Sequence, residues 1–147
     1  MFRKMFLLLL MVVLLPACGG AVTEEAPLPL GPMLDIPGTV TLLESERIGL
    51  NGFDAVLEMQ TVLEDNRCPG DATCLTGGQV RVQLALYVSG GEAQQFVLTL
   101  GDQHAGDVEE VELGGVVIRI KEVNPYPFVS FEQTDPWTVT VEVLSAP

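Results

Sequence analysis

Cys68 and Cys74 are the residues of this chain with the most definite chemistry open to them. They lie in the string Arg67-Cys68-Pro69-Gly70-Asp71-Ala72-Thr73-Cys74. An oxidised pair closes a seven-residue ring, which stabilises by about 2 kcal/mol on the chain-entropy view. Redox pairs more often have two residues between the cysteines, and a zinc site needs about four ligands. The single histidine, His104, lies in a separate segment, so the spacing favours a structural disulfide. Asp65, Asn66 and Asp71 place side-chain oxygens in the same loop, and calcium takes six to eight such ligands. Asp, Asn, Pro and Gly are also the usual turn formers, and the spacing is not that of an EF-hand. Calcium therefore competes with plain turn chemistry. Arg67 is expected to pair with Asp65 or a neighbouring acid.

Catalytic signals are sparse. His104 has no Ser or Cys nucleophile in a recognisable elbow, no glycine-rich phosphate loop is present, and no acid pair has a glycosidase context. An enzyme reading would rest on His104 with Asp102 and Asp107, as a small hydrolase or a metal-dependent enzyme. Asp107, Glu109, Glu110 and Glu112 form the densest acidic run. Such a run attracts divalent cations or a basic partner, or forms the solvated edge strand that charge protects from aggregation. Tyr126, Phe128, Phe131 and Trp137 lie in or beside a proline-stiffened stretch. They suit either an interface or the plug at an open end of a fold.

The elements that must hold these residues are strands. With 147 residues and 48% hydrophobic composition, the chain can bury one core. A formal charge of −13 disfavours nucleic acid as a partner, because phosphates are held by clustered Lys and Arg. Val80, Val82, Leu84, Leu86 and Val88 alternate with Gln79, Arg81, Gln83, Ala85 and Tyr87. A period of two puts the aliphatic set on one face of a sheet. Val40–Leu42, Phe53–Met59, Phe96–Leu100, Val116–Ile120 and Trp137–Val143 show the same alternation. The glycine pairs at 90–91 and 114–115 lie between such runs, where paired glycines form tight hairpins. About seven strands with no helical stretch in the mature chain predict an all-β fold. The preferred form is an antiparallel β-sandwich, Ig-like or Greek-key, with a small barrel as the alternative.

Ahead of the strands, Arg3 and Lys4 precede the apolar run Met5–Leu15, then Pro16, Ala17 and Cys18. Eleven apolar residues are too few to span a bilayer as a helix, and the pattern reads as a signal peptide. Leu15-Pro16-Ala17-Cys18 resembles the lipobox of bacterial lipoproteins. The resemblance implies cleavage before Cys18, acylation of its thiol and amino group by chains such as palmitate, and an anchor to the cell membrane or the outer membrane with the domain outside the cytoplasm. Each buried methylene contributes roughly 0.8 kcal/mol, so two or three chains hold a protein stably on a membrane. Gly19 follows the cysteine rather than the Asp associated with inner-membrane retention, which favours an outer membrane where the host has one. Loss of residues 1–17 leaves five bases against 20 acids, a charge of −15. With the Cys18 thiol acylated, Cys68 and Cys74 are the two remaining thiols. Residues 18–37 contain prolines 27, 29, 32 and 37 and read as a tether without regular structure, reaching on the order of 60 Å. Residues 38–147 read as the folded domain.

The stretch from Leu63 to Val82 also resembles a motif of a broad group of small bacterial envelope lipoproteins. In that group an Asp-Xaa-Arg-Cys-Pro string precedes a second cysteine, a Trp-Ala-Gly-like segment and a strand, with a Pro-Tyr-Pro element later. The matching residues here are Asp65, Arg67, Cys68, Pro69, Cys74 and Gly77, then Pro125, Tyr126 and Pro127. Leu75-Thr76-Gly77 stands where the tryptophan segment is expected. The resemblance implies a fold and a location and no particular activity. The expectation is a lipid-anchored envelope module that binds or supports a protein partner, without a cofactor beyond its lipid. The alternatives are the enzyme centred on His104 and a loop-presenting, inhibitor-like module.

Overall fold

A computed structural model describes residues 31–88, 92–130, 132 and 134–147. Cys18, the signal sequence, most of the tether, the 90–91 glycine turn and Phe131 lie outside the described residues. The described chain is all-β, with nine strands in two sheets. They are β1 (Met33–Leu34), β2 (Gly38–Leu43), β3 (Arg47–Leu50), β4 (Ala55–Asp65), β5 (Gln79–Val88), β6 (Gln94–Gly101), β7 (Glu110–Leu113), β8 (Val116–Asn124) and β9 (Thr138–Ser145). One sheet has the order β1-β3-β4-β5-β6 and the other β2-β9-β8-β7.

Every pairing is antiparallel except β1 with β3. Consecutive strands form hairpins, β3 to β6 in one sheet and β7 to β9 in the other, with β2 added beside β9. This is a sandwich of two meanders, not the interleaved strand order of immunoglobulin domains. β1 also departs from the sequence reading, which placed Met33 and Leu34 in an irregular tether. Leu34 and Ile36 pack against the core, and the Asn51 amide donates to the Leu34 carbonyl at 2.8 Å. Burial of these two side chains outweighs the proline-rich surroundings.

The alternating aliphatics meet between the sheets. Val80, Val82, Leu84 and Leu86 of β5 are fully buried, as are Val116 and Ile118 of β8 and Val139, Val141 and Val143 of β9. Each such side chain contributes roughly 1.5–3 kcal/mol by leaving water. Leu113 faces Val116 across the two-residue turn Gly114-Gly115, whose φ angles are 58° and 82°. Two positive φ angles make a type I′ turn, which side chains other than glycine adopt poorly.

Three register shifts re-aim side chains. In β8 the shift falls between Ile120 and Glu122, so that Val123, not Glu122, is the next buried residue. In β4 the shifts fall between Met59 and Thr61 and between Val62 and Glu64. The first turns Val62 toward the core opposite Val82, and Leu63, at the second, is 48% exposed. The second brings Asp65 opposite Val80, on the core-facing side of the sheet. Bulges twist a strand and redirect its side chains in this way. The consequence is an acidic residue at the mouth of the apolar core.

Candidate functional site

Asp65 is balanced by Arg67, and that pair organises one end of the sandwich. The Arg67 Nε and Nη2 donate to the two Asp65 oxygens at 2.8 and 2.7 Å. Nη1 donates to the Val123 carbonyl at 2.7 Å, and Nη2 also reaches the Pro125 carbonyl at 2.9 Å. A planar guanidinium serves four acceptors at once because its donors form a rigid fork. Both side chains of the pair are about nine-tenths buried, so its geometry must satisfy charges taken out of water. Arg67 thus ties the end of β4 in one sheet to the end of β8 in the other. Its guanidinium lies 4.7 Å from the Tyr126 ring centre, and Tyr126 meets Phe128 edge to face at 6.5 Å.

The loop after Arg67 is held at several further points. Cys68 and Cys74 form a disulfide with Cα atoms 5.9 Å apart. The Cys68 amide donates to the Gly77 carbonyl and the Asn66 amide to the Gln79 carbonyl. A Cβ at Gly78, where φ is +69°, would collide with the Asn66 carbonyl and lie 2.9 Å from the Arg67 Cα. Gly70 donates to the Pro127 carbonyl at 2.9 Å, and its Cα hydrogens face the Phe128 ring so closely that a Cβ would lie 3.0 Å away. Asp71 accepts from the amides of Val129 and Ser130 at 2.7 and 2.8 Å. Hydrogen bonds from the Ser130 side chain and the Val129 amide hold its carboxyl down at about 2. The Asp65-Arg67-Cys68-Pro69 string and the Pro125-Tyr126-Pro127 element, far apart in sequence, are therefore one structural unit.

This arrangement also shows where the calcium candidates sit. Both Asp65 oxygens face Arg67, the Asn66 carbonyl oxygen accepts from the Gln79 amide at 2.8 Å, and both Asp71 oxygens accept backbone amides. All three residues are engaged as turn and loop fasteners. Among the described residues no group of three or more His, Cys, Asp and Glu side chains is placed to hold a metal ion.

Asp102, His104 and Asp107 share another loop, which covers the outer face of the five-stranded sheet. Asp102 accepts the Gly78 amide at 2.9 Å. Asp107 accepts the His104 backbone amide at 2.9 Å and the Thr99 hydroxyl at 3.3 Å. The Gln79 amide nitrogen, turned toward the loop, adds a third donor at 3.1 Å. His104 contributes its backbone to this network and is itself exposed. Asp107 serves here as an acceptor that fixes the loop. The run that follows includes β7, an edge strand, with Glu110 bound to Arg119 at 2.7 Å.

Of the aromatic candidates, Tyr126 and Phe128 are 43% and 38% exposed, whereas Trp137 packs against the core. The structure adds two apolar residues that the sequence reading did not single out as a surface. Leu75, next to Cys74, is fully exposed, and Val129 is 73% exposed. Neither carried a sequence signal, since an isolated Leu or Val in a loop has no periodicity to read. Between the two sheets at this end lies a cleft of about 360 Å³ walled by Arg67, Leu100, Asp102, Lys121, Val123 and Tyr126 among others. A fastened loop end with apolar side chains turned outward is suited to contact with another molecule. No protein-family model, curated protein or solved structure matches this chain.

Proposed function

We propose that this protein is a lipid-anchored module of the bacterial cell envelope that works by binding a protein partner at the end built from the cysteine loop and the aromatic loop. One observation carries the binding part. Leu75 and Val129 stand in water on two loops immobilised by a disulfide, a buried arginine and Asp71, instead of folding back onto the core. Order without burial favours association, because little conformational freedom is then lost on contact. The anchoring part rests on the resemblance of Leu15-Pro16-Ala17-Cys18 to a lipobox and on the charged and apolar segment before it.

Two measurements test the two parts separately. Cells fed labelled palmitate should incorporate it into the wild-type protein and not into Cys18→Ser, which should leave the membrane fraction. An unlabelled wild type, or a Cys18→Ser protein that stays on membranes, refutes the anchor. For binding, crosslinking of intact cells should give a discrete adduct that the uncharged double change Leu75→Ser with Val129→Ser strongly diminishes while the melting temperature stays unchanged. An adduct unaffected by that double change refutes this end as the binding surface.

A further inference from the structure

We infer that the partner presents a cationic peptide segment, one of whose Lys or Arg side chains enters the cleft beside Tyr126. This rests on the binding surface proposed above and adds the chemistry of what it takes.

The first support is the cleft itself. Leu100, Val123 and Tyr126 supply apolar wall, and Asp102 and Glu122 stand among the lining residues. Its volume of about 360 Å³ lies within the roughly 300–1,000 Å³ of small-ligand sites. Each of the two carboxylates accepts one internal hydrogen bond, from the Gly78 amide and from the Asn124 side chain. Neither takes part in an ion pair among the described residues. Of the two cations that line the cleft, Arg67 is paired with Asp65 and the Lys121 ammonium is 3.9 Å from Glu142. Lys and Arg carry an apolar stem and a charged head, so such a side chain packs its stem on the wall and places its head between the two acids.

The second support is independent and concerns the whole domain. From residue 31 onward the chain has five basic against eighteen acidic side chains. All five bases already have acidic partners: Arg47 with Glu58, Arg67 with Asp65, Arg81 with Glu64 and Asp107, Arg119 with Glu110 and Glu142, and Lys121 with Glu142. The field outside the domain is consequently negative on balance. It repels anionic lipid head groups and phosphates and accelerates the approach of a cationic partner. Leu75, Tyr126, Phe128 and Val129 then receive apolar residues of the same segment.

The test uses the full chain, isotopically labelled and purified in neutral detergent, with three probes. Two are short peptides with identical Leu and Phe positions, one alternating with Lys and one with Glu. The third is a vesicle of phosphatidylcholine with phosphatidylglycerol. The Lys peptide should shift the amides of Leu75, Gly77, Gly78, Tyr126 and Val129, with affinity that falls as salt rises from about 50 to about 500 mM. Glu122→Gln should weaken it roughly 2- to 10-fold, as expected for loss of one partly exposed charge contact. The Glu peptide and the vesicles should shift none of these amides.

Equal binding of the two peptides overturns the cationic partner while leaving the end as a surface. Lys-peptide shifts confined to Glu109–Leu113, shifts produced by the vesicles, or no shift from either peptide overturn the inference outright. The crosslinking variants of the preceding subsection judge the surface separately from the charge.

Discussion

Arg67→Met removes the group on which the proposed end depends. The methionine keeps much of the side-chain volume and loses all four donated hydrogen bonds. Two of them go to backbone carbonyls, of Val123 in β8 and of Pro125 just beyond it, each worth about 1 kcal/mol net. The other two balance Asp65, whose carboxylate is left buried against Val80 without a cation, a situation that costs about 3–5 kcal/mol. These contributions overlap, and a total near 4 kcal/mol is expected. In urea, with a slope of about 1–3 kcal/mol per molar, the midpoint should fall by roughly 2 M. Asp65→Leu alone strands the arginine and should cost a similar amount, whereas the double change Asp65→Leu with Arg67→Met should recover most of the loss, since apolar replacement of a buried pair is often neutral. Arg67→Lys tests the fork: a point charge cannot serve both Asp65 oxygens and two carbonyls in one plane, and a loss of about 2 kcal/mol should remain. If Arg67→Met costs less than about 1 kcal/mol, or if the double variant loses the sum of the single losses, Arg67 does not join the sheets as described.

Three further outcomes are expected. Replacing Cys68 and Cys74 by Ser should lower stability by about 2 kcal/mol in equilibrium unfolding, and full retention of stability would show that the hydrogen bonds alone hold the loop. Asp71 titrates at about 2 in the folded chain against 3.8 for an ordinary Asp. A lowered carboxyl stabilises above its unfolded value, and that contribution is lost as pH falls through the folded one. The Val129 and Ser130 amides should therefore shift with a midpoint near 2, and a midpoint near 3.8 would contradict the clasp. Gly115→Val places a β-branched residue at φ 82° and should cost about 1–2 kcal/mol, measured by thermal melts.

The sandwich was legible because its central strand is uninterrupted: five aliphatics in strict alternation from Val80 to Val88 admit one face and one partner layer. Gly114-Gly115 was legible for a similar reason, as a local turn chemistry with a local cause. The disulfide followed from the pair of cysteines within one loop. The site was only half legible. That Arg67 pairs with Asp65 is a local matter, but its reach to Val123 and Pro125 depends on where β8 ends in the other sheet. Bulges were invisible for the same reason. An alternating pattern through Leu63 gives no warning that β4 shifts register on both sides of Val62. β1 and β3 were missed because two- and four-residue strands are too short to establish a period.

The most direct test of the account is a photo-activatable residue at position 75, in the fully exposed side chain beside the disulfide, with a control at Thr140 on the outer face of the four-stranded sheet. In living cells position 75 should yield one discrete protein adduct that Glu122→Gln diminishes, and position 140 should yield none. Lipid adducts alone at position 75, or the same adducts from both positions, would contradict a dedicated binding end.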